Sequence, residues 1–301
     1  MTDEPRRARE AVIDEDRHGQ RLDNFLLREL GQVPRALVYR LIRSGQVRVN
    51  GGRVKPMRKL AAGDRVRIPP VRIDQPPPAR LPIELIERIR SSIVHRQAEY
   101  MVIDKPSGLA VQGGTGLAFG LNDLVARIEP EAVPAHRLDR ETSGLIVFAI
   151  GRRSAAELQR AFVEQRIEKR YLALLDGHLS DDRIDVDQPL RKIRDASGQH
   201  RVVIDAEGSQ ARSSFRLLRR FARHDFVEVR IETGRTHQIR VHAQYLGAPI
   251  AGDARYNALP APVGLRRLFL HAGYLRLKWP EEQVFSAPLP ADLGRVLDQL
   301  K

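Results

Sequence analysis

Cysteine is absent from the 301-residue chain. Its absence removes disulfides, Cys-ligated zinc and every thiol nucleophile. No stretch approaches the ~20 apolar residues that span a bilayer. The opening segment "MTDEPRRAREAVIDEDRHGQ" is charged throughout and contains no apolar core of signal-peptide type. A cytoplasmic location with no membrane partner is expected. Nucleotide-binding signatures are missing as well. "DKPSGLAVQGGTGLAFG", Asp104 to Gly120, is glycine-rich but has no Gly-Lys-Ser/Thr ending and does not match GxGxxG. It reads as a turn-rich loop beside a cleft, so no cofactor is expected. His237 and His242 stand five apart rather than at the i,i+4 spacing of a zinc helix, and no metal is expected.

What the chain does have is positive charge, unevenly spread. The net charge is +13 and the pI near 10.6. From Arg21 to Arg72 there are thirteen Arg or Lys against three acids, whereas the first twenty residues are slightly acidic. A basic module attached to a nearly balanced larger one points to a polyanionic partner, most often nucleic acid.

That module has its own pattern. "QRLDNFLLREL" sets Leu22, Phe25, Leu26 and Leu30 at helical spacing before Gly31. "PRALVYRLIRSG" begins at Pro34, carries Leu37, Val38, Leu41 and Ile42 on one face, and stops at Gly45. "QVRVNGGRVKP" alternates around Asn50-Gly51, a hairpin turn signal, and "AAGDRVRIP" supplies a further short strand. Over roughly residues 19–70 this layout resembles the S4-type RNA-binding domain. The resemblance implies that the second helix and following turn face RNA, with Arg35, Arg40, Arg43, Arg48 and Lys55 as the candidate contacts. Residues 1–18 are expected to be a tail. Six prolines between Pro69 and Pro82 rule out a regular helix or central strand, so residues 71–90 are expected to form a linker. Beyond it, short alternating or apolar stretches outnumber amphipathic helices, and an α+β domain on a largely antiparallel mixed sheet is expected over residues 91–301.

The densest chemistry lies in "HRLDRETSG", His136 to Gly144, directly before the apolar run "LIVFAI". Asp139 sits at the entrance to a core strand, where burial raises a carboxyl pKa and a guanidinium lowers it. A carboxylate kept ionised but poorly hydrated is a nucleophile or a general base; an ordinary structural ion pair is the competing reading. In "ETGRTHQIRVHAQYLG" a helix is expected from about Thr236. Arg235 and Arg240 at its positive end suggest a site for a carboxylate or phosphate. Tyr171, in "EKRYLALLDG", begins a strand and is either a packing residue or a ring for a nucleobase.

Taken in order, "DKPSGLAVQGG", "HRLDRETSGL", "EKRYLALLDG", "TGRTHQIRVHAQYLGAPIAGDARY" and "RLFLHAGYLRL" resemble the sequence blocks of the pseudouridine synthases of the RluA family. The resemblance implies a uridine-isomerising enzyme acting on large-subunit (23S) ribosomal RNA or its precursor and needing no cofactor; a monomer is expected. It implies Asp139 as the catalytic aspartate, Tyr171 against the target base and Arg240 as the partner of Asp139. It also implies Arg137 as the residue that displaces the uridine, and Leu275 as an apolar wall of the pocket. Two departures stand out: Gln112 where relatives have histidine, and "KWP" at Lys278 to Pro280 in place of an aromatic–x–His-Pro ending. The alternative function is a non-catalytic RNA-binding ribosome-assembly factor on the same fold. Base-modifying chemistries that use cysteine are excluded by composition.

Overall fold

The computed structural model describes residues 8–31, 33, 35–71, 81–113, 118–194 and 200–301. The chain divides into two compact units, Met1–Pro78 and Ala79–Lys301.

In the first unit, β1 (Arg9–Val12) is followed by α1 (Leu22–Leu30), α2 (Arg35–Arg43), β2 (Arg48–Val49) and β3 (Arg65–Ile68). The apolar spacing of the two helices is used as expected. Leu22, Phe25, Leu26 and Leu30 join Val38, Leu41 and Ile42 in one core, and Gly31 leaves α1 at φ 76°. Asn50 and Gly51 both take positive φ, and Val49 and Gly52 exchange backbone hydrogen bonds of 3.0 and 3.1 Å across them. The turn is therefore present, but the segment after it does not extend the hairpin. β2 pairs with β3 instead, because the Asn50 amide N–H donates to the Arg65 carbonyl and the Arg65 N–H to the Asn50 side chain. A second difference concerns the expected tail. Arg9–Val12 pairs with β3 along its whole length, so the order is β1-β3-β2 and this part of the expected tail belongs to the sheet.

The second unit begins with α3 (Ile83–Ser91), β4 (Ile93–Arg96), β5 (Tyr100–Lys105), α4 (Leu121–Val125), β6 (Ala132–Pro134) and β7 (Ser143–Ile150). Then come α5 (Gly151–Val163), β8 (Ile167–Asp176), β9 (Arg183–Asp187), β10 (Leu190–Arg194) and β11 (His200–Ile204). The chain closes with β12 (Arg212–Arg220), β13 (His224–Ile231), α6 (Gln238–Tyr245), β14 (Leu270–Lys278), β15 (Glu282–Ser286) and α7 (Ala291–Gln299). The helix α3 corrects the linker expectation. The proline run ends at Pro82, and Leu85, Ile86 and Ile89 then recur at helical spacing and pack on the main core. Residues 72–80, the rest of that segment, lie outside the described residues.

Ten strands form one sheet, with the path β4-β5-β7-β14-β8-β13-β12-β9, β15 on β14 and β6 on β7. Every pairing is antiparallel except β7 with β14. The α+β expectation with a largely antiparallel mixed sheet therefore holds. β7 shows why "SGLIVFAI" is continuously apolar. Leu145, Val147 and Ala149 enter a cluster with Tyr100 and Val102, while Ile146 and Phe148 enter another with Met101 and Ile103. A strand covered on both faces keeps no polar alternation, and each buried large side chain adds about 1.5–3 kcal/mol. At its start, Gly144 has φ 112°, and a Cβ there would lie 2.3 Å from the Ala272 carbonyl oxygen. Only glycine allows β14 to approach β7 at this point. Among the described residues no helix is long and apolar enough to cross a membrane.

Candidate active site

The loop that carries Asp139 is tied down by the "DKPSG" segment at the end of β5. The Gly108 N–H donates to the Arg140 carbonyl, Arg140 Nε donates back to the Gly108 carbonyl, and Ser107 Oγ donates to the Glu141 carbonyl. Lys105, fully buried, donates Nζ to the carbonyls of Pro106, Leu109 and Arg140 at 2.9–3.2 Å. Burial pushes its pKa down to about 7, against the opposing pull of the Asp139 charge. The guanidinium of Arg140, adjacent in sequence, is thus turned to backbone and away from the Asp139 carboxylate. Leu138 and Thr142, both buried, fix the loop on either side. Between them the Asp139 side chain keeps 24 % of its surface exposed.

The cation at Asp139 comes from α6. Arg240 Nη1 lies 3.3 Å from Asp139 Oδ2, and the Arg240 side chain is 5 % exposed. Its firmest partner is a different carboxylate. Nε and Nη2 of Arg240 donate to Asp253 at 2.7 and 2.6 Å in a two-pronged pair, and Asp253 also accepts the N–H groups of Arg255 and Tyr256. Two nitrogens are thereby occupied, which aims the third at Asp139. Burial disfavours the guanidinium charge, but the Asp253 hydrogen bonds and the Asp253 and Asp139 charges outweigh it and raise the pKa. For Asp253, burial acts upward, and the Arg240 hydrogen bonds and charge carry the net shift below the usual carboxylate range. Asp253 escaped the sequence reading. Its only signal is an aspartate inside the apolar stretch "APIAGDARY", and nothing in the sequence joins it to Arg240.

The helix start differs from expectation. α6 begins at Gln238, after His237 in a left-handed conformation at φ 54°. That kink separates the two arginines read as one anion site. Arg235 is exposed and donates Nε to the Gln210 carbonyl, whereas Arg240 points inward. His237 Nε2 lies 3.9 Å from Asp139 Oδ2, and its Nδ1 is 2.8 Å from the Tyr256 hydroxyl. Burial lowers its pKa despite the Asp139 charge. His242 faces elsewhere, hydrogen-bonded to Ser213 and the Gln188 carbonyl. Among the described residues no group of three His, Asp or Glu side chains is placed to hold a metal.

Asp139, His237 and Arg240 line a cleft of about 710 Å³ that also includes Gln112, Arg137, Lys169, Tyr171 and Leu270. Tyr171 rises from β8, 6 % exposed, with its hydroxyl pKa raised by burial and then by the Asp139 charge. Arg137 is exposed at the rim and donates to Thr236 Oγ1 at 3.2 Å. Of the residues expected together, Asp139, Tyr171, Arg240 and Arg137 therefore share one cleft. Leu275 does not. It lies beyond an irregularity of β14 between His271 and Tyr274, and packs with Tyr100, Val102 and Leu158. Leu270, paired with Ala173 on β8, is the leucine of β14 that lines the cleft. The candidate RNA contacts of the first unit, Arg35, Arg40, Arg43, Arg48 and Lys55, are all exposed. Arg35 reaches Asn24, Arg43 the Tyr39 carbonyl, and Arg48 the Gly45 and Gly51 carbonyls.

Known proteins resemble the chain from end to end. The family model for RNA pseudouridylate synthase matches residues 99–245, and that for the S4 domain matches residues 20–66. The ribosomal large subunit pseudouridine synthase C of Vibrio cholerae is 40 % identical over 304 residues, covering 96 % of both chains. Its namesake in Escherichia coli K12 is 40 % identical over 305 residues, again covering 96 % of both. Among solved structures, human RNA pseudouridylate synthase domain containing 4 superposes with a TM-score of 0.61 at 26 % identity, covering 72 % of this chain and 97 % of the human one. Likeness at this level, sustained through both units, settles the family: the chain belongs to the RNA pseudouridylate synthases and carries an S4 domain ahead of the synthase domain.

Proposed function

We propose that this protein converts specific uridines of large-subunit (23S) ribosomal RNA to pseudouridine, acting as a monomer, with Asp139 as the residue that works on the ribose. The observation that carries the reading is 40 % identity over 96 % of the chain to enzymes named for that reaction. The reaction is an isomerisation. The N1–C1′ bond breaks, the uracil turns in the pocket, and C5 bonds to C1′, with no group gained or lost. Asp139 either adds to C1′ or removes a sugar proton; both tasks need an ionised carboxylate beside a cation, and Arg240 at 3.3 Å supplies it. The target nucleotide must leave its stack, which costs a few kcal/mol. Arg137 at the cleft rim offsets part of that cost by filling the gap, and Tyr171 by lying against the base, with Leu270 opposite. Sequencing the organism's ribosomal RNA for pseudouridine with and without this gene tests the reading: loss of particular sites in the large subunit is expected, and an unchanged pattern overturns it. A non-catalytic assembly factor would leave the modification pattern intact.

The S4 domain is proposed to dock the RNA through Arg35, Arg40, Arg43, Arg48 and Lys55. Affinity should then fall steeply with salt. Five phosphate contacts at slopes of about −0.7 to −0.9 each give roughly a 10²-fold loss between 50 and 200 mM salt. Fluorescence anisotropy with a large-subunit RNA fragment measures this, and a flat salt profile contradicts the docking role.

A further inference from the structure

One cation in the cleft, Lys169, is engaged by none of the groups described so far. Lys169 is 8 % exposed, and its ammonium has no hydrogen-bond or ion-pair partner among the described residues. Its neighbours are the Phe162 ring, 5.1 Å away, and Gly234, where a Cβ would lie 3.6 Å from Nζ. Burying an ammonium without a partner costs several kcal/mol. The contrast with Lys105 is direct, since that buried lysine serves three carbonyls. Lys169 opens instead onto the cleft that holds Asp139, two residues before Tyr171 on β8.

We infer that Lys169 Nζ receives a carbonyl oxygen of the uracil and stabilises the negative charge that the base acquires when it separates from the ribose. The inference rests on the functional reading above. Cleavage of N1–C1′ sends the bonding pair to N1, from which it spreads to O2 and O4. C1′ is left electron-poor and is met by Asp139, or by loss of a sugar proton that is later returned. After the base turns, C5 supplies the pair for the C5–C1′ bond and sheds its proton, while N1 takes one up, so atoms and charge balance. The detached base is thus an anion inside a protein cleft, and Asp139 and Tyr171 offer it no positive charge. A fixed ammonium there acts on charge present only after the bond begins to break. A phosphate oxygen is the other acceptor of suitable chemistry. It is disfavoured because the exposed Arg137, Arg140 and Arg235 are the cations of this cleft open to a hydrated phosphate, whereas Lys169 lies among Phe162, Ile167 and Tyr171.

The test compares wild type, Lys169→Met and Lys169→Arg in single-turnover pseudouridine formation on a large-subunit rRNA fragment, with Kd for the same RNA. Lys169→Met is expected to cut the rate by about 10²–10³-fold and to change Kd by less than about threefold. Lys169→Arg should retain most of the rate. Burial places the Lys169 pKa at about 8, so wild-type kcat/KM should decline as pH rises through that value and the ammonium is lost; Lys169→Arg should not show this limb. An unimpaired Lys169→Met, or one whose defect lies wholly in Kd with a salt slope reduced by about one, overturns the inference, the second pointing to phosphate. Should Lys169→Met fail to fold, the pH profile of Lys169→Arg decides: persistence of the basic limb overturns the proposal. A wild-type enzyme that forms no pseudouridine in this RNA overturns the functional reading and the inference together.

Discussion

Asp139→Asn is expected to lower turnover by about 10⁴-fold or more, the scale on which enzymes lose rate when a nucleophile or its charge is removed. The substitution keeps the shape of the side chain, and the loop around it is held by contacts that do not involve the carboxylate: Lys105 and Gly108 to the Arg140 carbonyl, Ser107 to the Glu141 carbonyl. RNA affinity should therefore stay near the wild-type value, because the proposed docking residues lie in the first unit and Arg137 at the cleft rim is untouched. Tritium release from 5-³H-uridine in rRNA measures the first quantity and anisotropy the second. Wild-type-like release from Asp139→Asn would remove Asp139 from the chemistry. An equal loss of binding and turnover would make it a docking residue instead.

The largest stability effect is expected at Asp253→Asn. Arg240 is nearly inaccessible to water, and two of its three nitrogens are neutralised by the fully buried Asp253. Removing that charge leaves a guanidinium with only the partly exposed Asp139 and the more distant Glu141. Breaking one side of a buried pair costs about 3–5 kcal/mol, which lowers Tm by roughly 6–20 °C in a unit of this size. Urea unfolding measures the loss. The pH dependence follows from the sign of the shift: the folded Asp253 carboxyl titrates below its unfolded value, so its stabilisation is complete above about pH 4. It fades only as pH falls through the lowered folded value. The difference between wild type and Asp253→Asn should thus be constant across neutral pH. The double change Arg240→Met, Asp253→Leu should recover much of the stability, since no unpaired charge remains. It should remain inactive, because Asp139 has lost its cation. Full stability in the single variant would mean that the pair does not hold the site.

Lys105, Lys169 and Asp253 show where reading along the chain stops. Each stands beside other charged residues (Asp104, then Glu168 and Arg170, then Arg255), and nothing in the sequence tells a buried charge there from a solvated one. The same limit explains Leu275 and Leu270. Both occupy apolar positions of one strand, and only the packing around them decides that Leu270 lines the cleft while Leu275 joins Tyr100 and Val102. The strand β1 inside the expected tail and the helix α3 at the end of the expected linker are also unmarked in the sequence, since Arg9–Val12 is too short to show a period and the six prolines hide where the helix starts.

The two helices and the Asn50-Gly51 turn of the basic module, the buried apolar run of β7, the positive charge and the lack of thiol, nucleotide-loop and zinc-helix chemistry all follow from the sequence by itself. They depend on local periodicity, composition and turn residues, which neighbouring positions reveal. The site depends on partners far apart in the chain. Asp139 acquires Arg240 from α6, and Arg240 acquires its orientation from Asp253 in the following loop. Only the sheet that brings β7, β8 and β14 together decides those contacts, because burial and the direction of a guanidinium are set by packing in three dimensions and leave no period to read.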